Sequence, residues 1–217
     1  MIPLKDDTPS RHFPIIMILI IASNVYVYIL EMINGQKFMI YQYGCIPSNI
    51  IKFQKLHTLF TSMFLHGSLF HLASNMLFLY IFGDNVEDFL GHFKFLIFYL
   101  GCGLSAALVQ SVALWDSRIP MVGASGAISG VMGGYLVLYP RSRILTLVPL
   151  FPFFFRLIWI PAFIYLIYWV ILQLIGSMLS VVTVSGIAFT AHLAGFFTGL
   201  FWMIAERNRR TLKIWIE

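Results

Sequence analysis

Ser125 lies between Gly123-Ala124 and Gly126-Ala127 in the stretch PMVGASGAISGVMGGY, residues 120–135. A serine hydroxyl becomes a nucleophile only when a neighbouring base takes its proton. His192, in TAHLAGFFTG, is the one ionisable residue of a second apolar stretch, and imidazole has suitable basicity near neutral pH. His71 and Asn75 are four residues apart, so on a helix they share one face. An imidazole N–H and an amide NH₂ are donors of the kind that stabilise a tetrahedral oxyanion, and the Ser125 backbone N–H would be a third. The expected chemistry is acyl transfer, with Ser125 as nucleophile, His192 as base, and His71 and Asn75 on the oxyanion. A blander reading stands beside it. Small-residue repeats with a serine commonly pack membrane helices, and a lone asparagine commonly glues them.

Two grooves would position these groups. Gly126, Gly130 and Gly134 recur every four residues, as do Ala191, Gly195 and Gly199. On helices each set forms a smooth face that lets backbones approach closely. Docking the two faces in parallel brings Ser125 and His192 together at one end.

The rest of the chain says where that end is. Of 217 residues, 59% are hydrophobic and 11% charged, with a mean hydropathy of +0.86. Soluble domains run near 25% charged, so this composition belongs to a polytopic membrane protein. Apolar runs of membrane-spanning character are expected over Phe13–Ile33, Leu69–Phe82, Phe93–Leu114, Gly123–Tyr139, Leu157–Leu179 and Ile187–Ala205. The expected fold is an all-α bundle of six transmembrane helices. Residues 1–12 form a short N-terminal segment, 13–205 the core and 206–217 a basic tail. Residues 34–56 read as an interfacial loop, and Gly83-Asp84-Asn85 as the turn that ends the second span. Of 14 Lys and Arg, only Lys37, Lys52, Lys55 and Arg118 fall on the outer side when the N-terminus is inside. The positive-inside bias therefore predicts cytoplasmic termini. Spans two, four and six then run the same way, and their unusual polar residues meet near the outer face. No odd-numbered span shows a comparable polar cluster.

Acids are scarce, and none is placed to orient His192, so a Ser–His dyad is expected rather than a full triad. His66 is expected to make a structural hydrogen bond in the outer loop. His12, His57 and His92 read as interfacial residues. The aromatic fifth span is a candidate lateral gate, and Ser180–Gly186 a candidate lid.

These residues resemble the rhomboid intramembrane serine proteases. The likeness runs from about Tyr43 to Leu200 and is carried by Gly123-Ala124-Ser125-Gly126, Ala191-His192-Leu193-Ala194-Gly195 and His71-Leu72-Ala73-Ser74-Asn75. The segment HTLFTSMFLHGSLFHLASNMLFLYIFGDNVEDFLGH resembles the family's first loop and second helix. The resemblance implies Ser125 as nucleophile, His192 as general base, and oxyanion roles for His71 and Asn75, on a six-helix core. It also implies cleavage of single-span transmembrane proteins in a water-filled cavity within the lipid bilayer. Two positions depart from the pattern. His57-Thr58 stands where a Trp-Arg pair is frequent. Ser129 replaces a tyrosine that in some members stacks on the histidine, so the imidazole must be held in another way.

Other classes fit less well. A transporter predicts an internal repeat or paired charges in the spans, and neither is found. A non-proteolytic member would lack Ser125 or His192. A zinc protease needs HExxH, which is absent. An aspartyl type needs two aspartates within the spans, and Asp84 has no partner. A soluble hydrolase elbow needs a strand before Gly123. Cys45 and Cys102 make no metal site. No cofactor, metal or nucleic-acid partner is expected, and the oligomeric state is open. The compact core fits a prokaryotic plasma membrane.

Overall fold

The computed structural model describes residues 1–151, 154–180 and 188–216. It is a mostly helical bundle. A first strand, β1 (Ile2–Asp6), leads to α1 (Ile15–Asn34) and two short helices, α2 (Gln36–Tyr43) and α3 (Pro47–Ile51). A further short helix, α4 (Thr58–Thr61), precedes α5 (Leu69–Leu90), α6 (His92–Ala113) and α7 (Ser125–Leu138). Then come β2 (Arg143–Phe151), β3 (Phe154–Pro161), α8 (Ala162–Ser180) and α9 (Phe189–Ile216). By length and composition α1, α6 and α8 can each cross a membrane. A fourth crossing is available if Thr58–Phe64 and Leu69–Leu90, bent by 93°, count as one span. α7 is apolar but only 14 residues long.

The expectation of an all-α chain is corrected by a three-stranded antiparallel sheet in the order β1-β2-β3. Leu145 pairs with Trp159 and Leu147 with Leu157, while Ile2 pairs with Leu147 from the other side. The aromatic run from Leu157 read as helix because both faces of β3 are apolar, which hides the two-residue period that marks a strand. The fifth helix accordingly starts at Ala162, not Leu157. The interfacial stretch after α1 contains two short helices rather than irregular loop. The last helix runs on through the basic tail.

Gly83-Asp84-Asn85 does not end the second span, because α5 continues to Leu90 and stops at Gly91, whose φ is 80°. The polar residues there have partners outside their own helix. The Asn85 amide donates to the Thr8 carbonyl at 3.1 Å. The buried Glu87 carboxylate accepts from the backbone N–H groups of Ile16 and Met17 at 2.9 and 2.7 Å. A carboxylate at a helix start satisfies orphan donors and complements the helix dipole. His12 and His92 also have specific partners, Asp88 and Glu87.

α7 and α9 lie in parallel and touch backbone to backbone. A Cβ on Gly195 would collide with the Gly126 carbonyl, and one on Gly199 with the Gly130 carbonyl. Gly133 meets the Phe196 carbonyl in the same way, whereas Gly134 faces Met203 and Phe98. The two glycine faces therefore dock as their spacing predicts, except that Gly133 takes the place expected of Gly134. Because the obstacle is main chain, no rotamer change relieves it. Gly199→Ala should destabilise the protein by about 3 kcal/mol or more, the upper range for overpacking. Gly67→Ala, where nothing lies within 4 Å of the added carbon, should stay within about 0.5 kcal/mol. Thermal unfolding of both variants in detergent checks this, and equal midpoints would refute the backbone contact.

Candidate active site

Ser125 is the first residue of α7, and the chain before it is tightly held. Cys45 and Met121 exchange both backbone hydrogen bonds, at 3.0 and 2.8 Å. The Gly123 N–H donates to the Ser62 carbonyl at 2.9 Å. Gly123 has a φ of 124°, and a Cβ there would lie 2.8 Å from the His71 ring. Both facts require glycine. They also place the His71 imidazole beside the loop that delivers Ser125.

His192 lies one turn into α9, whose start is tied to α6 by the buried Gln110 side chain accepting from the Ala191 N–H at 2.9 Å. The imidazole Nε2 is 2.8 Å from the Ser125 hydroxyl oxygen. Its Nδ1 is 2.8 Å from Oε1 of Gln173, on α8. With a carbonyl oxygen facing Nδ1, that nitrogen carries the proton, and Nε2 presents a lone pair to the serine O–H. Ser129, in place of a stacking tyrosine, donates to the Ser125 carbonyl at 2.6 Å. The imidazole is instead flanked by Trp169, with ring centres 6.0 Å apart, and met edge-on by Phe189 at 6.5 Å.

His71 and Asn75 lie on the first turns of α5. Ser68 caps that helix by accepting from the His71 N–H at 3.1 Å. Asn75 is buried, and its amide nitrogen makes no hydrogen bond. A buried donor left in that condition is costly, so Asn75 is a spare donor at this end of the bundle. His66 precedes the bend into α5. Its backbone N–H donates to the buried Glu31 carboxylate on α1 at 2.9 Å, and its carbonyl accepts from Gln36 at 2.9 Å. Its ring packs edge-on against His71 at 5.0 Å. The hydrogen bond expected of His66 thus exists through its main chain, to Gln36 within the outer loop, and a second one reaches the first helix. His57 is exposed while Thr58 is buried. The proposed lid, Ser180–Gly186, falls almost wholly outside the described residues.

A cavity of about 40 Å³ borders Ser125 and is lined in part by Cys45, Ser62, Met121, Gly123 and Ala191. Water needs about 10–15 Å³ by this measure, so the cavity can admit it to the hydroxyl. Ser125, His192 and His71 are each partly buried. They are screened from bulk solvent without being sealed from it.

The third and fifth spans, expected to show no comparable polar cluster, each bring a single buried amide to this end: Gln110 on α6 and Gln173 on α8. Each is a single glutamine in an apolar run, ALVQSVAL and VILQLIG. A lone polar residue at membrane depth is expensive and calls for a named partner. Counting clusters alone passes over that signal.

The Rhomboid domain model matches residues 54–209. Rhomboid protein 1, mitochondrial, of Saccharomyces cerevisiae is 32% identical over 120 residues, covering 52% of this chain and 32% of its own. The bovine presenilin-associated rhomboid-like protein, mitochondrial, is 33% identical over 138 residues, covering 62% and 36%. Rhomboid protease GluP of Bacillus subtilis is 32% identical over 133 residues, covering 60% and 26%. The aligned region thus covers about a third or less of the length of these relatives. The yeast and bovine relatives are mitochondrial by name, which overturns the expected prokaryotic plasma membrane and, with it, the assignment of cytoplasmic termini. With the domain model matching well over half of its length, the chain belongs to the rhomboid family.

Proposed function

We propose that this chain is a serine-type intramembrane endopeptidase that cleaves single-span transmembrane proteins, in a mitochondrial membrane as the names of its yeast and bovine relatives suggest. The observation that carries the reading is the 2.8 Å contact between the His192 Nε2 and the Ser125 hydroxyl. The serine oxygen attacks the scissile carbonyl carbon while its proton passes to Nε2. Negative charge then collects on the carbonyl oxygen. The Asn75 amide, the His71 ring N–H and the Ser125 backbone N–H are the donors for it. The imidazolium gives its proton to the departing amine, leaving an acyl-serine. Water, with His192 again as base, hydrolyses that ester and restores the hydroxyl.

The membrane setting follows from helix lengths. Six crossings would be α1, α5, α6, α7, α8 and α9, carried by residues 13–205, with residues 1–12 and 206–217 flanking them. α7 has 14 residues and so extends about 21 Å, against a hydrocarbon core of about 30 Å. A helix that short, reaching one face, starts several ångströms below the other. Ser125 then sits beneath the membrane surface with the 40 Å³ cavity beside it. A transmembrane substrate would have to unwind locally there to expose a peptide carbonyl.

Ser125→Ala should fold with an unchanged unfolding midpoint yet cut no member of a panel of single-span substrates. Retained cleavage would end the nucleophile assignment. A fluorophosphonate probe should label the wild-type protein on Ser125 and leave the variant unlabelled, with labelling of any other residue redirecting the site. Asn75→Ala should lower turnover by about 10²-fold, the scale for one oxyanion donor. An unaltered rate in steady-state assays would return Asn75 to a packing role.

A further inference from the structure

A base that shuttles one proton must present a lone pair toward the serine, which requires its other nitrogen to hold a proton and a partner. In serine hydrolases with a full triad that partner is a carboxylate. Among the described residues no acidic side chain is hydrogen-bonded to His192. Glu31 is engaged by His66, and Glu87 by the start of α1. The imidazole has two hydrogen-bond partners among the described residues, Ser125 on Nε2 and Gln173 on Nδ1, each at 2.8 Å.

Gln173 is buried, with 8% of its surface exposed, so water does not compete for its carbonyl. Trp169 stands one helical turn before it on the same face of α8 and packs beside the imidazole, with ring centres 6.0 Å apart and planes tilted by 36°. One turn of α8 therefore meets the ring twice: the amide sets its edge and the indole packs against it. Glutamine can do this inside a membrane where a carboxylate would be costly, because it accepts the hydrogen bond without bringing a charge into a low-dielectric setting.

We infer that Gln173 is the positioning residue of the Ser125–His192 pair, accepting the Nδ1–H and thereby fixing the tautomer and orientation that leave Nε2 free to take the serine proton. It never touches substrate and acts only through the imidazole. The role rests on the serine-protease reading above, and it goes further by supplying the third member that the acids do not provide.

The test uses the full-length protein in detergent and reads the rate of Ser125 labelling by a fluorophosphonate across pH, alongside kcat and KM on a single-span substrate cut by the wild type. Gln173→Leu keeps the bulk and removes the acceptor. Labelling and kcat should fall about 10- to 10²-fold, the scale for losing the partner that orients a working histidine, with KM unchanged. Gln173→Glu keeps an acceptor and should recover most of that loss. The two variants should displace the acid limb in opposite directions. A carboxylate beside Nδ1 stabilises the imidazolium and moves the limb to higher pH, while leucine withdraws that support and moves it lower. The other titratable group acting on this ring is the His71 imidazole of α5, which both variants retain. A purely structural glutamine would lower the unfolding midpoint of Gln173→Leu without separating the two limbs. If the wild type labels on Ser125 and Gln173→Leu labels within twofold of it at an unmoved acid limb, the positioning role is refuted. Should Gln173→Leu fail to fold, Gln173→Glu with an unmoved limb refutes it equally. A wild type that labels nowhere and cuts nothing would refute the protease reading itself.

Discussion

Backbone contact between α7 and α9 is the constraint on which the rest of this structure depends. Gly195 sits on the Gly126 carbonyl and Gly199 on the Gly130 carbonyl, with no side chain between them. Lipid offers no hydrophobic drive for helices to associate, so such pairs are held by close packing and by the polar groups that packing protects. The register of the two helices is then set to a single residue. Sliding α9 by a position would bring Ala194 or Phe196 to the place of Gly195 and Thr198 or Leu200 to that of Gly199, with a Cβ against the α7 main chain. Ser125 and His192 stand just beyond the end of this contact, and their 2.8 Å approach follows from the register.

Around that contact the polar groups of the spans are distributed by partner rather than by sequence neighbourhood. Gln110 fastens the start of α9, Glu87 the start of α1, and Glu31 the turn at His66. Each joins elements far apart in the chain and sits where an unpaired polar group would be heavily penalised. The opposite end of the bundle is closed by the N-terminal strand. Tyr135 at the inner part of α7 donates to Asp6 at 2.6 Å, and Asp7 pairs with Arg143 at 3.0 Å. Arg143 holds the Asp7 carboxyl below its ordinary range, while burial pushes that of Asp6 above it.

Much of this was legible in the residues because membranes make the rules strict. Apolar runs located the starts of α1, α5, α6, α7 and α9 to within about two positions, although α5 and α9 run on past their expected ends, and the glycine spacing gave the parallel docking of α7 on α9. Ser125 and His192 stood out as isolated polar groups near helix starts. The β2–β3 hairpin did not, since its strands are apolar on both faces and carry no alternation to read. Gly83-Asp84-Asn85 looked like a turn because the N-terminal segment that satisfies Asn85 and Glu87 is some 70 residues away in sequence. Gln173 was passed over for a similar reason: its partner is on another helix, and a single amide leaves no motif. The basic residues spoke to sidedness alone. Which membrane holds the protein is not a property of charge bias, and the expected one was overturned by likeness to relatives with mitochondrial names.

α8 grips its neighbours in another fashion from α7. Its buried face meets α9 through long side chains, Trp169 against Phe196 and His192 and the amide of Gln173, while Ile164, Ile167, Ile171 and Ile175 stay exposed. Side chains can swing where main chain against main chain cannot, so the bundle has a stiff flank and a compliant one. The compliant flank is the one that steers the imidazole. A chain wedging between α8 and α9 would loosen the ring as it entered, and the ring would regain its aim only once α8 had closed again. Opening that flank and aiming the imidazole would then exclude each other, so the pair could act only with α8 seated.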